Sequence, residues 1–289
     1  MPRKWTQKYG VNKGDEVDLE EQGNKIILSI GSSIVSMQME LNPPHLKNIT
    51  ERYITTCYRD GVNEIKVVCD SEGYADLLEY VRLKVHDQTI GYELIDQDKN
   101  FFFIKDLSGG QPTGFDNALR RTLILLTTSS NDILNAIKNR DLDGLRNAYI
   151  MDRSINKLTN FCSRYLLTKG IGSHKKTIYY YHFLRSLEAL ADQYSLMAAE
   201  YNNNLKTFND EIFKGFKEIN AMLQEFYELF YKYDKKRLGN LFLKIKGMEP
   251  QKLFGIKNTN YVVVFFLSSI HRRIKELIDS LIELNLEPE

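Results

Sequence analysis

The sequence predicts an α+β protein: a strand-rich first part, then helix to the end of the chain. Three observations carry this reading. Up to about residue 107 the hydrophobic pattern changes often, from alternation to short continuous runs to helical spacing. At residues 108 to 114 "SGGQPTG" interrupts every period. Beyond it apolar residues recur at 4-3 spacing in successive segments, the pattern of helices that bury one stripe against each other.

In order along the chain, "DEVDLEE" and "NKIILSI" read as two strands separated by "QGN", a hairpin turn signal. "SIVSMQMEL" reads as a third strand. A helix over about 46 to 59, the strand "EIKVVCD", a helix "YADLLEYVRLKVH" and the strands "IGYELIDQ" and "NFFFIKDL" follow. That β-α-β-α-β-β order is typical of a small two-layer domain. The glycines of 108 to 114 are followed by no Lys-Ser/Thr, and their spacing matches neither nucleotide fingerprint, so the segment reads as a linker. The divisions are therefore 1 to 32, 33 to 107, the linker 108 to 114, and a helical part from 115 to 289.

Six helices are expected in that last part. The first carries Leu119, Leu123, Leu126, Ser130, Ile133 and Ile137 on its stripe; the second Ala148, Met151, Ile155, Leu158, Cys162 and Tyr165; the third Phe183, Leu187, Leu190, Tyr194, Met197 and Tyr201. A fourth runs from Ile212 to Phe230, a shorter fifth from about 236 to 247, where Gly247 and Pro250 interrupt it, and a sixth from Phe266 to Leu284. "KNRDLDGL" at 138 to 145 and "YKYDKKRL" at 231 to 238 hold corresponding places, which suggests two repeats of three helices.

Composition sets limits on function. With 27% charged residues and a formal charge of +1 there is no global basic field, so any contact with nucleic acid must come from a local patch. Cys57, Cys69 and Cys162 form no C-x-x-C pair, which argues for a reducing, cytoplasmic setting and against a thiolate zinc site. The most apolar run, "YVVVFFLSSI", is too short to span a bilayer, so no membrane insertion is expected. His45, His86, His174, His182 and His271 show no ligand spacing, and no nucleophile–base arrangement is visible; a non-enzymatic protein is expected.

One constellation stands out. Glu188 and Asp192 lie four apart, Glu188 following the stripe residue Leu187 and Asp192 following Ala191, and so flank the buried face of their helix. Like charges at that spacing repel by a few tenths of a kcal/mol. Asp152 and Asn156 repeat the device on the preceding helix, and antiparallel packing would bring three carboxylates and an amide oxygen together. All are hard oxygen donors, suited to Mg²⁺, Mn²⁺ or iron, or to zinc where carboxylates dominate. Three offsets for the repulsion are open: a bound cation, exposure to water, or an ordinary helical salt bridge from Arg185, three residues before Glu188, with Arg153 and Lys157 beside the other pair.

"SLEALAD" followed by "MAAEY" resembles the third-helix motif of PhoU-like proteins, and "DLDGLRNAYIMDRSINKLTNFCSRYL" is similar to the second helix of the same repeat. The resemblance covers about residues 113 to 285. It implies a bundle of two three-helix repeats, a divalent or trivalent metal ion on Asp152, Asn156, Glu188 and Asp192, and a role in regulating phosphate uptake or phosphate signalling, with transport or signalling proteins as partners. The last helix departs from the motif, having Arg272 and Glu276 where the third has Glu and Asp.

"PRKWTQKYGVNKGDEVDLEEQGNKIILS" is similar to the AbrB-like swapped-hairpin DNA-binding domain, in which a short Pro-led helix and "GVNKGDEV" lead into a hairpin. That resemblance implies a homodimer and makes Arg3, Lys4 and Lys8 the local basic patch for DNA phosphates. The resembled domain opens with a strand ahead of the Pro-led helix, and the sequence from Met1 holds only the remainder. The combined expectation is a regulator of phosphate uptake or phosphate-responsive transcription; the alternative is a protein-interaction adaptor without DNA or metal binding.

Overall fold

The strand alternation of residues 64 to 106 becomes the inner half of a four-stranded mixed sheet. In the computed structural model, which describes residues 1–22, 25–30, 36–41, 47–69, 74–108, 114–203, 210–255 and 261–286, strand β3 (Ser36–Leu41) pairs parallel with β4 (Glu64–Cys69). β4 pairs antiparallel with β6 (Phe101–Asp106), and β6 with β5 (Tyr92–Asp98), giving the order β3-β4-β6-β5. A parallel pair needs a crossover, and α2 (Lys47–Arg59) supplies it; α3 (Tyr74–Gln88) joins β4 to β5. Ile65 and Val67 of β4 and Phe102 and Ile104 of β6 point to one face, where Ile54 and Tyr58 of α2 and Leu77 and Val81 of α3 cover them.

Ahead of this unit, α1 (Arg3–Tyr9) buries none of its residues and stops at Gly10, whose φ of 67° is the left-handed conformation that ends a helix without a Cβ penalty. β1 (Asp18–Gln22) and β2 (Lys25–Ser29) form the expected hairpin, with Leu19 opposite Leu28 and Glu21 opposite Ile26. Among the described residues these two strands pair only with each other, and Leu19 and Ile26 are 65% and 66% exposed. The turn residues Gly23 and Asn24 and most of the expected linker, 109 to 113, lie outside the described residues.

The helical part follows its stripes. α4 (Phe115–Asn139), α5 (Leu142–Thr168) and α6 (His174–Asn203) pack in sequence, as do α7 (Asp210–Tyr231), α8 (Lys235–Gly247) and, beyond a 3-10 segment at Pro250–Gly255, α9 (Tyr261–Leu284). The two trios meet where α4 touches α7 and α6 touches α9, and they share one apolar core. The echo between the trios has a physical basis. Asp141 caps α5 by accepting from the Gly144 amide at 3.0 Å, and Asp234 caps α8 by accepting from the Arg237 amide at 2.7 Å. Inside the core one polar network crosses between them: Tyr194 donates to Asn220 Oδ1 at 2.9 Å, and Asn220 Nδ2 donates to the Ser130 carbonyl at 2.8 Å.

The α/β unit is fastened to the bundle through α5. Arg164 donates from Nη2 to Asp106 Oδ2 at 2.7 Å and from Nη1 to the carbonyls of Tyr58 and Val62, with its guanidinium 4.9 Å from the centre of the Tyr58 ring. Farther back along α5, Asn160 Nδ2 donates to the Gln88 carbonyl at 3.0 Å, Lys157 Nζ to the His86 carbonyl at 2.7 Å, and Arg153 pairs with Asp87. α5 thus has two working sides, one on α6 and one on α2 and α3.

Candidate metal centre

Only five residues, 169 to 173, separate α5 from α6, so the helices run antiparallel and the first half of α5 lies beside the second half of α6. This brings Asp152 under the charges of both Asp192 and Glu188. All four expected residues, Asp152, Asn156, Glu188 and Asp192, are half-buried. Asn156 Nδ2 donates to Asp152 Oδ2 at a long 3.4 Å. The other oxygens, Asp152 Oδ1 and Asn156 Oδ1, are buried and have no hydrogen-bond partner. Buried oxygens without a donor are uncommon in folded proteins and costly.

The electrostatics follow from that placement. Burial first, then the charges of Asp192 and Glu188, push the Asp152 carboxyl up to about 7 from its ordinary 3.8. Burial also raises Glu188, against the opposing charge of Arg185; Asp192 raises it further and Arg59 opposes. Asp192 is raised by burial, with Arg185 and Arg273 opposing. Arg185 Nη1 contacts Glu188 Oε2, so the helical salt bridge is formed. It answers the charge on Glu188 and leaves the two orphaned oxygens of α5 unanswered.

The donor chemistry fits a hard cation, and the geometry fits it only partly. Among the described residues no group of three or more His, Cys, Asp or Glu side chains is placed to hold a metal ion. With Glu188 engaged by Arg185, the oxygens facing a cation would be those of Asp152, Asn156 and Asp192.

Spacing along one helix showed the carboxylates and Arg185, but not the cations that reach them from other elements. Arg59 comes from the last turn of α2 and Arg273 from α9, and the buried Arg273 Nε has no hydrogen-bond partner. No local motif marks residues that reach a site from other elements. Arg272 and Glu276, at the motif positions of the last helix, are both exposed.

Arg3, Lys4 and Lys8 are exposed on α1, with Lys8 Nζ 5.0 Å from the centre of the Tyr9 ring. Cys57, Cys69 and Cys162 are buried free thiols, and burial pushes Cys162 up to about 12, which keeps it protonated. No described helix is long and apolar enough to cross a membrane. Comparison of the chain with protein-family models, with curated proteins and with solved structures finds no match, so the PhoU-like and AbrB-like resemblances rest on the residues that carry them.

Proposed function

We propose that this chain is a non-enzymatic, cytoplasmic regulator of phosphate uptake or of phosphate-responsive transcription. Its helical bundle responds to a divalent or trivalent metal ion, Mg²⁺, Mn²⁺, iron or zinc, at Asp152, Asn156 and Asp192, with Glu188 joining when Arg185 releases it. Its N-terminal segment acts as a homodimer and contacts DNA phosphates through Arg3, Lys4 and Lys8. The observation that carries the metal reading is the pair of buried, partnerless oxygens, Asp152 Oδ1 and Asn156 Oδ1, beside a carboxyl pushed up to about 7. A bound cation would supply beside Asp152 the positive charge that Arg185, Arg59 and Arg273 supply to Glu188 and Asp192. The support for regulation is the order of the parts: a short basic helix with a hairpin, a small α/β unit, a helical bundle.

The second reading, an adaptor without metal or DNA, is favoured by the Arg185–Glu188 contact. Elemental analysis of protein purified without chelator, with melting curves in the presence and absence of EDTA, separates the two. A bound cation stabilises the folded state by mass action. The metal reading expects a melt lowered by EDTA in the wild type and insensitive to it in Glu188→Gln, Asp192→Asn. No bound metal and a melt indifferent to both EDTA and added Mn²⁺ would leave the adaptor.

A further inference from the structure

Helix α8 concentrates charge in a chain that is otherwise nearly balanced. Its 13 residues include Lys235, Lys236, Arg237, Lys244 and Lys246 and no acidic residue, against a formal charge of +1 for all 289. These cations divide by side. Arg237 and Lys244 lean toward α7, where they pair with Glu228 at 3.0 Å and Glu225 at 2.7 Å. Lys235, Lys236 and Lys246 are exposed and belong to no ion pair among the described residues. Leu238, Leu241 and Ile245 bury the inner side; at 100° per residue Lys236 stands opposite them, and Lys235 and Lys246 stand on the flank away from Arg237 and Lys244.

In the middle of the outward half stands Leu243, 66% exposed. Gly239 and Gly247 lie four residues to either side of it, and a Cβ at either would meet nothing within 4 Å. The face is therefore smooth around one projecting apolar side chain, with flexible point charges about it. A basic helix face with an apolar residue at its centre suits a surface of diffuse negative charge over an apolar interior. A nucleic acid would be better met by arginine forks and stacking rings, and the one arginine of α8 is turned to Glu228.

We propose that the outward face of α8 docks on an anionic lipid bilayer, Leu243 entering the headgroup region and Lys235, Lys236 and Lys246 lying against the lipid charges. The attachment is peripheral and reversible, and independent of the metal and DNA readings. The test is sedimentation of the full chain with phosphatidylcholine vesicles with and without phosphatidylglycerol. Binding is expected at low salt, only with phosphatidylglycerol, and weakened by added salt.

Each lysine is worth about fivefold in partitioning, so Lys235→Gln, Lys236→Gln, Lys246→Gln should weaken binding about a hundredfold. Leu243→Ser should weaken it several-fold. Arg3→Ala, Lys4→Ala, Lys8→Ala should bind like wild type. So should the charge-matched control Lys175→Gln, Lys176→Gln, Lys217→Gln, whose lysines are also exposed. All the substituted side chains are at the surface, and unchanged melts would show that the variants fold. Absence of binding to anionic vesicles at low salt, equal loss in the control, or duplex DNA held through the same three lysines of α8 would overturn the proposal.

Discussion

Arg164 and Asp106 form an ion pair at 2.7 Å with their side chains 4% and 0% exposed, and they do so across the boundary between the bundle and the α/β unit. Asp106 Oδ1 is also engaged, accepting from the Ser108 amide at 2.9 Å, and the Arg164 guanidinium additionally donates to the Tyr58 carbonyl in the last turn of α2 and to the Val62 carbonyl in the loop after it. Removing one partner strands the other. Arg164→Met should therefore cost about 3–5 kcal/mol in urea unfolding, because it leaves a buried carboxylate uncompensated. Adding Asp106→Asn should recover part of that loss, and a double-mutant cycle would measure the coupling.

The pH dependence of stability should carry the signature of Asp152. Its folded value, about 7, lies above the ordinary 3.8, so over that interval the folded state holds a proton that the unfolded state has released. Stability from this group is present below about pH 4, falls as pH rises toward 7, and is flat beyond. Asp152→Asn removes the titration. Its melting temperature should match the wild type near pH 4 and exceed it increasingly up to pH 7 in metal-free buffer. A constant difference across that range would show that Asp152 ionises normally.

Arg185 should act as a competitor for Glu188. Its guanidinium contacts the carboxylate and opposes the upward shift of both Glu188 and Asp192. Arg185→Gln should therefore lower stability at neutral pH without metal, and the protein should regain more of its melting temperature than the wild type does when Mn²⁺ is added. Equal responses of the two proteins to Mn²⁺ would show that the arginine and the cation do not share a site.

The two helix caps offer a matched pair. Asp141→Ala and Asp234→Ala should each cost about 0.5–2 kcal/mol, the usual range for losing a capping carboxylate. Chemical denaturation of both variants checks this.

At the N-terminus, light scattering should give a dimer mass that is lost on deleting residues 1 to 30, which spares β3, since a hairpin whose two strands pair only with each other among the described residues is marginal alone. Replacing Arg3, Lys4 and Lys8 with Ala should reduce the slope of log affinity for DNA against log salt by about three units. A monomer unaffected by the deletion, or no DNA binding by wild type at low salt, would remove these parts of the reading.

Much of this architecture was legible because its signals are local. Alternation in "EIKVVCD" marks β4, the short apolar run in "NFFFIKDL" marks β6, and Gly247 with Pro250 marks the end of α8. Stripe residues such as Leu123, Leu187 and Ile274 are wholly buried, since a 3.6-residue period states which side a helix hides. Sheet order was not legible: β6 lies between β4 and β5, and nothing in either sequence names its neighbour. In the site, Asp152 and Asn156 were visible from their spacing, as were Glu188 and Asp192. Arg59 and Arg273 were not, because what relates them to the carboxylates is distance in space. Arg164 is hardest of all, a charged residue on a buried side whose partner lies 58 positions earlier.

The two-sided role of α5 bears on how the chain is made. Arg164 reaches back 106 residues to Tyr58. Synthesis proceeds from the N-terminus at roughly 5–20 residues per second, so the surface of α2 and α3 leaves the ribosome about 5 to 20 seconds before its cover. During that interval the Tyr58 and Val62 carbonyls lack the Arg164 donors, and the Asp106 carboxylate lacks its ion-pair partner. A nascent chain arrested before Leu142 would present α2 and α3 without the helix that covers them.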